Sequence, residues 1–348
     1  VKWKINRGGK MTKWYDESGI NGDVVISSRV RIARNLENIK FPQAMTLEES
    51  ELVNNKVIRA IERADEHANY DYFKIKGLSP LDRHVFVEEH LISPNLIKDF
   101  NRSSFFLKKD GKATIMVNEE DHLRIQTLMM GLKLDECWSL CSQIDDSLEE
   151  TLDFAFDEKF GYLTSCPTNT GTGLRASAMI HLPSLVYTGY ANNIFRAVSQ
   201  IGLTVRGLYG EGTSALGNIF QISNQTTLGE TEEEIIQKLK NVVIQIIDKE
   251  REMRNNLAVS RKYEVEDKLY RSLGILKYGR IMSSEEAMNL LSDVKMGIEM
   301  GIIKDVDAKD ITNLMILIQP ASLQKYFDRE MDLQERQIKR AELVREKL

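Results

Sequence analysis

Apolar and polar positions change rhythm along the chain, and the changes mark its elements. Val24-Val25-Ile26-Ser27-Ser28-Arg29-Val30-Arg31-Ile32 opens with β-branched residues and then alternates charge with period two, which predicts a strand. Phe105 to Leu107 and Ala113 to Val117 flank Asp110-Gly111, a dipeptide suited to a tight hairpin turn. Tyr162 to Cys166, Leu203 to Tyr209 and Asn218 to Ile222 predict further short strands. Thr46 with Glu49 forms a capping box for a helix ending near Ala64, and Ser79-Pro80 and Ser93-Pro94 each place proline behind a serine cap. Leu134 to about Phe154 is helical by period, and Gly173 to Val186 predicts a helix that leaves a glycine-rich turn.

Thr231 with Glu234 caps a long helix reaching about Asn255, after which the strand signal stops. Ser283 with Glu286 starts another helix, whose Ala287, Leu290, Leu291, Val294 and Ile298 make an apolar stripe, and Asp332 to Leu348 is a charged helical tail. Met11 looks like a natural start, with residues 1–10 set aside as an extension. The expectation is a mixed catalytic domain at 11–255 and a helical domain at 256–348, in line with domains of roughly 100 to 200 residues.

Charge changes this picture little. With 47 basic against 52 acidic residues the net charge is -5, so no overall field recruits nucleic acid or an anionic membrane, and anion binding has to be local. Three cysteines cannot build a disulfide framework and fit a reducing cytoplasm, and no apolar run approaches the ~20 residues of a membrane span. Walker-type G-x-x-x-x-G-K-[ST], the H-R-D and D-F-G elements of protein kinases, and the zinc spacings H-E-x-x-H and C-x-x-C are all absent.

A phosphate-handling chain without those devices needs guanidinium groups, whose planar fork of donors matches phosphate oxygens. Arg29 and Arg31, two apart on a strand, share one face, and Arg124, Arg175 and Arg206 are further candidates. Asn118-Glu119-Glu120-Asp121-His122 is a dense acidic run whose readings, in order, are an exposed loop, a metal site and a general base. Cys166, before Pro167-Thr168-Asn169 and a glycine-rich segment, sits where backbone donors could activate a thiol; Cys137 and Cys141 suit a core.

Taken in order, Ser28-Arg29-Val30-Arg31, Asn118 through Arg124, Cys166-Pro167-Thr168-Asn169 through Arg175, and Arg206-Gly207 with Gly210-Glu211 resemble the phosphagen (guanidino) kinases. The resemblance covers roughly residues 23 to 255. It implies an α+β fold: a catalytic domain with a largely antiparallel sheet flanked by helices, here followed by an all-helical C-terminal domain. It also implies Arg29, Arg31, Arg124, Arg175 and Arg206 on the phosphates of ATP with Mg²⁺, and His90 against adenine. Glu120 and Glu211 would grip the acceptor guanidinium, with Cys166 as a third contact and Glu119 structural.

Within the family, the chain resembles the protein-arginine kinases, because no helical domain of about a hundred residues precedes the Ser-x-Arg-x-Arg strand and a helical domain follows. That likeness implies phosphorylation of protein arginines, a stress-response role, a homodimer, an activator protein, a transcription repressor substrate and a Clp unfoldase that degrades marked proteins. It further implies a regulatory phosphoarginine pocket at Arg336, Gln337 and Arg340, with Gln337 standing where the family's element has aspartate. The alternatives are a small-molecule guanidino kinase and a non-catalytic adaptor that binds phosphoarginine proteins.

Overall fold

The computed structural model describes residues 13–15, 19–64, 67–207 and 216–348. Its strands are β1 (Val25–Arg34), β2 (Tyr70–Lys74), β3 (Ser104–Lys108), β4 (Ala113–Val117), β5 (Leu123–Met130), β6 (Phe156–Asp157), β7 (Gly161–Tyr162), β8 (Leu174–His181), β9 (Leu203–Gly207) and β10 (Ile219–Asn224). All but β6 and β7, which form a separate hairpin, join one antiparallel sheet in the order β2-β3-β4-β5-β1-β8-β10-β9. Among the described residues the helices are α1 (Leu47–Arg63), α2 (Pro80–Glu88), α3 (Leu134–Glu149), α4 (Pro183–Tyr187), α5 (Ala191–Gln200), α6 (Glu232–Ser260), α7 (Lys262–Tyr278), α8 (Ser284–Glu299), α9 (Ala308–Leu317), α10 (Pro320–Tyr326) and α11 (Leu333–Lys347).

Period-two alternation sorts the strands onto two faces. Val30, Ile32, Ile125, Ala176, Ala178 and Ile222 meet Val53 and Val57 of α1, Cys137 and Cys141 of α3, and Leu239 and Val243 of α6 in the main core. Each fully buried Ile, Leu or Val contributes roughly 1.5–3 kcal/mol there. Burial pushes the Cys137 thiol up to about 12 and the Cys141 thiol well above its ordinary value, as suits inert packing. On the opposite face Phe73, Phe105 and Met116 pack with Leu91 and Leu96. Further along that face, Met179 and Ile219 meet Met288, Leu291 and Met315 of the helical C-terminal region.

The capping boxes at Thr46/Glu49 and Thr231/Glu234 both form, and Ser79 and Ser283 cap α2 and α8. Three expectations fail. Tyr162 to Cys166 is not a strand: only Gly161–Tyr162 pairs, with Phe156–Asp157, and beyond it the Thr164 hydroxyl and the Ser165 N–H bond to the Cys166 carbonyl and to Asp121 rather than to a ladder. Gly173 to Val186 is not a helix: Leu174–His181 is the strand between β1 and β10, and only Pro183–Tyr187 is helical. Pairing on both edges satisfies the backbone of β8 and buries Ala176 and Ala178, which outweighs the helix preference of its Leu, Arg, Ala and Met residues. Ser93-Pro94 starts a run of turns rather than a helix; the Ser93 hydroxyl accepts from the Leu96 N–H at 3.2 Å as a cap would and donates to Glu119 Oε1 at 2.7 Å. The final helix of the sheet domain, α6, runs unbroken past residue 256 to Ser260.

Candidate active site

Register places every candidate arginine on one side of the sheet. Arg31 lies directly opposite Gln126 of β5 and Arg175 of β8, and Arg29 opposite Leu128 and Ser177. Gln221 of β10 pairs with Met179 on one side and Arg206 of β9 on the other. Because paired and i±2 residues point the same way, Arg124, Arg31, Arg29, Arg175 and Arg206 form one basic strip across β5, β1, β8 and β9. Along β1 and β8, Arg29, Arg31 and Arg175 are the only positions that are not buried.

The strip is crowded with like charge. Burial, then Arg124 and Arg175, bring the Arg29 guanidinium down to about 10. Burial followed by Arg29, Arg124 and Arg175 pushes Arg31 well below its ordinary value, with Glu119 opposing. Arg175 is lowered by burial, then by Arg206 and Arg124, while Cys166 and Glu120 act the other way. Arg29 Nη2 donates to Gln221 Oε1 at 2.5 Å, whereas the buried Nε of Arg31 has no partner. Guanidiniums held together around an orphaned donor fit a polyanion such as a nucleotide's phosphates.

The acidic run is not an exposed loop but a tight turn between β4 and β5 that sends its three carboxylates apart. The Glu119 side chain is fully buried, with Oε2 2.5 Å from Arg124 Nη1 and Oε1 held by Ser93. Glu120 gives Oε2 to Arg124 Nη2 at 2.7 Å, keeps a side chain 34% exposed, and leaves Oε1 without a hydrogen bond from any described residue. Asp121 Oδ1 accepts from Asn35 Nδ2 and from the Ser165 backbone N–H, both at 2.7 Å, tying this turn to the cysteine segment. His122 Nδ1 accepts from Leu36 N–H, so its Nε2 donates to the Lys40 carbonyl; burial first of all pushes its pKa down.

Cys166 is partly exposed, with Sγ 3.0 Å from Thr168 Oγ1. The loop carrying it is shaped by Gly171 at φ +112 and Gly173 at φ +67; a Cβ on Gly171 would lie 2.2 Å from the Thr227 carbonyl oxygen. Arg34, which falls out of phase with Arg29 and Arg31, is buried and holds the same loop from below. It pairs with Asp145 at 2.6 Å, donates to the Thr172 carbonyl and lies 3.4 Å over the Tyr162 ring. Burial lifts the Asp145 carboxyl to about 6 despite that pair.

His90 follows α2 in a left-handed conformation, φ +59, and burial with Arg29 holds its imidazole down at about 4. Gln126 Nε2 donates to the carbonyls of His90 and Leu91 at 2.9 and 3.1 Å. Sequence reasoning misses Gln126, Gln221 and Arg34. Gln221 is within its reach, since Phe220 and Ile222 fix the phase that puts Gln221 among the arginines. Glu211 lies outside the described residues. Of the C-terminal candidates, Arg336 lines a cleft of about 570 Å³ against α2, whereas Arg340 is 3% exposed and donates to the carbonyls of Ile318 and Met282. The Gln337 carbonyl accepts from Met282 N–H.

With this geometry in view, comparison with known proteins gives a consistent answer. Residues 52–253 match the family described as ATP:guanido phosphotransferase, C-terminal catalytic domain, and residues 262–348 match the protein-arginine kinase McsB C-terminal domain. The chain is 49% identical over 335 residues to a protein-arginine kinase of Pelotomaculum thermopropionicum, covering 95% of this chain and 94% of that one. A protein-arginine kinase of Clostridium tetani is 46% identical over 340 residues, covering 97% and 99%. Among solved structures, lombricine kinase superposes with a TM-score of 0.60 at 22% identity, covering 73% of this chain and 74% of that one. The duplicated taurocyamine kinase of Schistosoma mansoni gives 0.62 at 24%, covering 75% of this chain and 40% of that one, and both likenesses speak to the fold.

Proposed function

Since the chain belongs to the ATP:guanido phosphotransferase family, and within it to the protein-arginine kinases, we propose that it moves the γ-phosphoryl group of ATP onto arginine side chains of proteins through the basic strip and the Glu120 turn. The observation that carries this reading is the in-register pair Arg31 and Arg175, two guanidiniums crowded with Arg29 beside an unpartnered donor.

Phosphoryl transfer depends mainly on positioning and on stabilising charge. The strip holds the phosphates, with Arg29 braced by Gln221. Mg²⁺ bound with the nucleotide would neutralise part of the phosphate charge beside these arginines. An acceptor guanidinium with a pKa of about 12.5–13.8 has no free lone pair at neutral pH. The open Oε1 of Glu120 would take a proton from the attacking nitrogen as the P–N bond forms and the P–O bond to ADP breaks, with Glu211 gripping the same group. Cys166 would, by family likeness, add a third contact to the acceptor guanidinium.

The test is to incubate the full chain with ATP and Mg²⁺ and either free arginine or a folded protein, then measure acid-labile phosphate. Phosphate on protein arginines is the expected result. Phosphorylation confined to free arginine would make it a small-molecule kinase, and none on either acceptor would leave the adaptor reading. A cytoplasmic stress-response role, a homodimer, an activator, a repressor substrate, marking for Clp-dependent degradation and a phosphoarginine pocket at Arg336, Gln337 and Arg340 rest on family likeness alone.

A further inference from the structure

Glu88 closes α2 two residues before His90, and its carboxylate is held by the C-terminal domain. Oε2 accepts from the Ser322 N–H at 2.7 Å and the Ser322 hydroxyl at 2.8 Å, while the Ala321 N–H reaches both oxygens at 2.9 and 3.1 Å. Those donors open α10, so a carboxylate of the catalytic domain caps a helix of the other domain. An ion pair, Lys325 to Asp82 at 2.8 Å, fastens the same two helices.

The neighbouring residues are tied inward instead. Glu89 receives Tyr15 Oη at 3.0 Å and Lys13 Nζ at 2.8 Å, its carbonyl takes the Trp14 indole N–H, and Gln126 holds the carbonyls of His90 and Leu91. At the end of α2 it is therefore Glu88 whose side chain bonds across to the C-terminal domain. A cavity of about 40 Å³ touches Glu88 and His90 on one wall and Met288, Met315 and Gln319 of the C-terminal domain on the other. His90 itself sits in a left-handed turn directly after that helix end, φ +59.

We propose that Glu88 is a positioning residue through which the C-terminal domain sets the orientation of His90, and with it the affinity for the nucleotide base. The proposal rests on the reading of His90 as a base contact. Docking of α10 orders the end of α2; release of the Glu88 carboxylate lets the turn relax and the base subsite open, without touching the arginines on the phosphates. The C-terminal domain is thereby part of the nucleotide site rather than an appendage to it.

Steady-state kinetics of the full chain on a protein substrate test this. Glu88→Ala should raise KM for ATP about tenfold, equivalent to about 1.4 kcal/mol, with kcat within about twofold. Ser322→Ala, which removes one donor from the far side and leaves the catalytic domain intact, should move KM the same way by about twofold to threefold. Glu88→Gln, which keeps one acceptor, should fall between wild type and Glu88→Ala. His90→Ala should raise KM as Glu88→Ala does, and the double variant should be no worse than His90→Ala alone.

Unchanged KM in both Ser322→Ala and Glu88→Ala, or additive effects of Glu88→Ala and His90→Ala, would overturn the coupling while leaving His90 at the base. Unchanged KM in His90→Ala would instead overturn the base contact, and the coupling with it. If Glu88→Ala fails to fold, the Ser322→Ala and Glu88→Gln measurements decide.

Discussion

Arg31 and Arg175 face each other directly across the β1–β8 pairing, and neither guanidinium has an ion pair or hydrogen bond with another described residue. Like charges held this close cost stability, so Arg175→Met should melt higher than wild type while transfer falls by at least about 100-fold. Adding ADP should raise the melting temperature of wild type and leave that of Arg175→Met nearly unmoved. A variant that melts lower, or still responds to ADP, would contradict the phosphate role of the pair.

Glu119 and Glu120 share Arg124 but differ in burial, and their variants should separate. Glu119→Gln breaks a buried pair and should destabilise by roughly 3–5 kcal/mol, read by denaturant unfolding. Glu120→Gln should unfold near the wild-type midpoint yet lose arginine phosphorylation. Near-normal turnover in Glu120→Gln would remove it from the mechanism.

Side-chain chemistry and backbone shape are separable in the cysteine loop. Cys166→Ser should keep the wild-type melting temperature and slow transfer, because its Sγ is partly exposed and its hydrogen-bonding neighbour is the Thr168 hydroxyl two residues along the same loop. Gly171→Ala should lower stability by upwards of about 1–3 kcal/mol, since it adds positive-φ strain to a collision with the Thr227 carbonyl. Equal losses in stability from the two variants would make Cys166 a packing residue.

Two of the five arginines of the strip are legible as neighbours in the sequence. Arg29 and Arg31 declare their shared face by spacing alone, and the buried phase of Cys137 and Cys141 is equally plain. Arg175 joins Arg31 only through the fold, because Leu174 to Ile180 carries helix-forming residues and its strand state is imposed by β1 and β10, far away in sequence. Asp121 and Glu119 look like members of one acidic patch. Their separation depends on Asn35, Ser165 and Ser93, which no local window contains.

Stability should also respond to His90. Its imidazole titrates near 4 in the fold against 6.5 when unfolded, so between those values the unfolded chain binds more protons. Stability from this group is therefore complete above pH 6.5 and is lost as pH falls toward 4. Comparing wild type with His90→Gln cancels groups such as Asp145, which works in the opposite sense. Wild type should lose more of its melting temperature than His90→Gln on going from pH 7 to pH 5; parallel losses would show that the imidazole is not held neutral.

Because the five arginines are assembled by strand register, the proposed phosphate site should tolerate substitution more readily than insertion. One residue added within β1 between Arg29 and Arg31 would turn one of them from the strip into the packed face with Val30 and Ile32, where a charge has no water and no counterion. A deletion in β8 would do the same to Arg175. Lineages descending from this sequence should accordingly vary in length in the turns between Leu91 and Ser103 and hold residue count constant through β1, β5 and β8, whatever the side chains around them become.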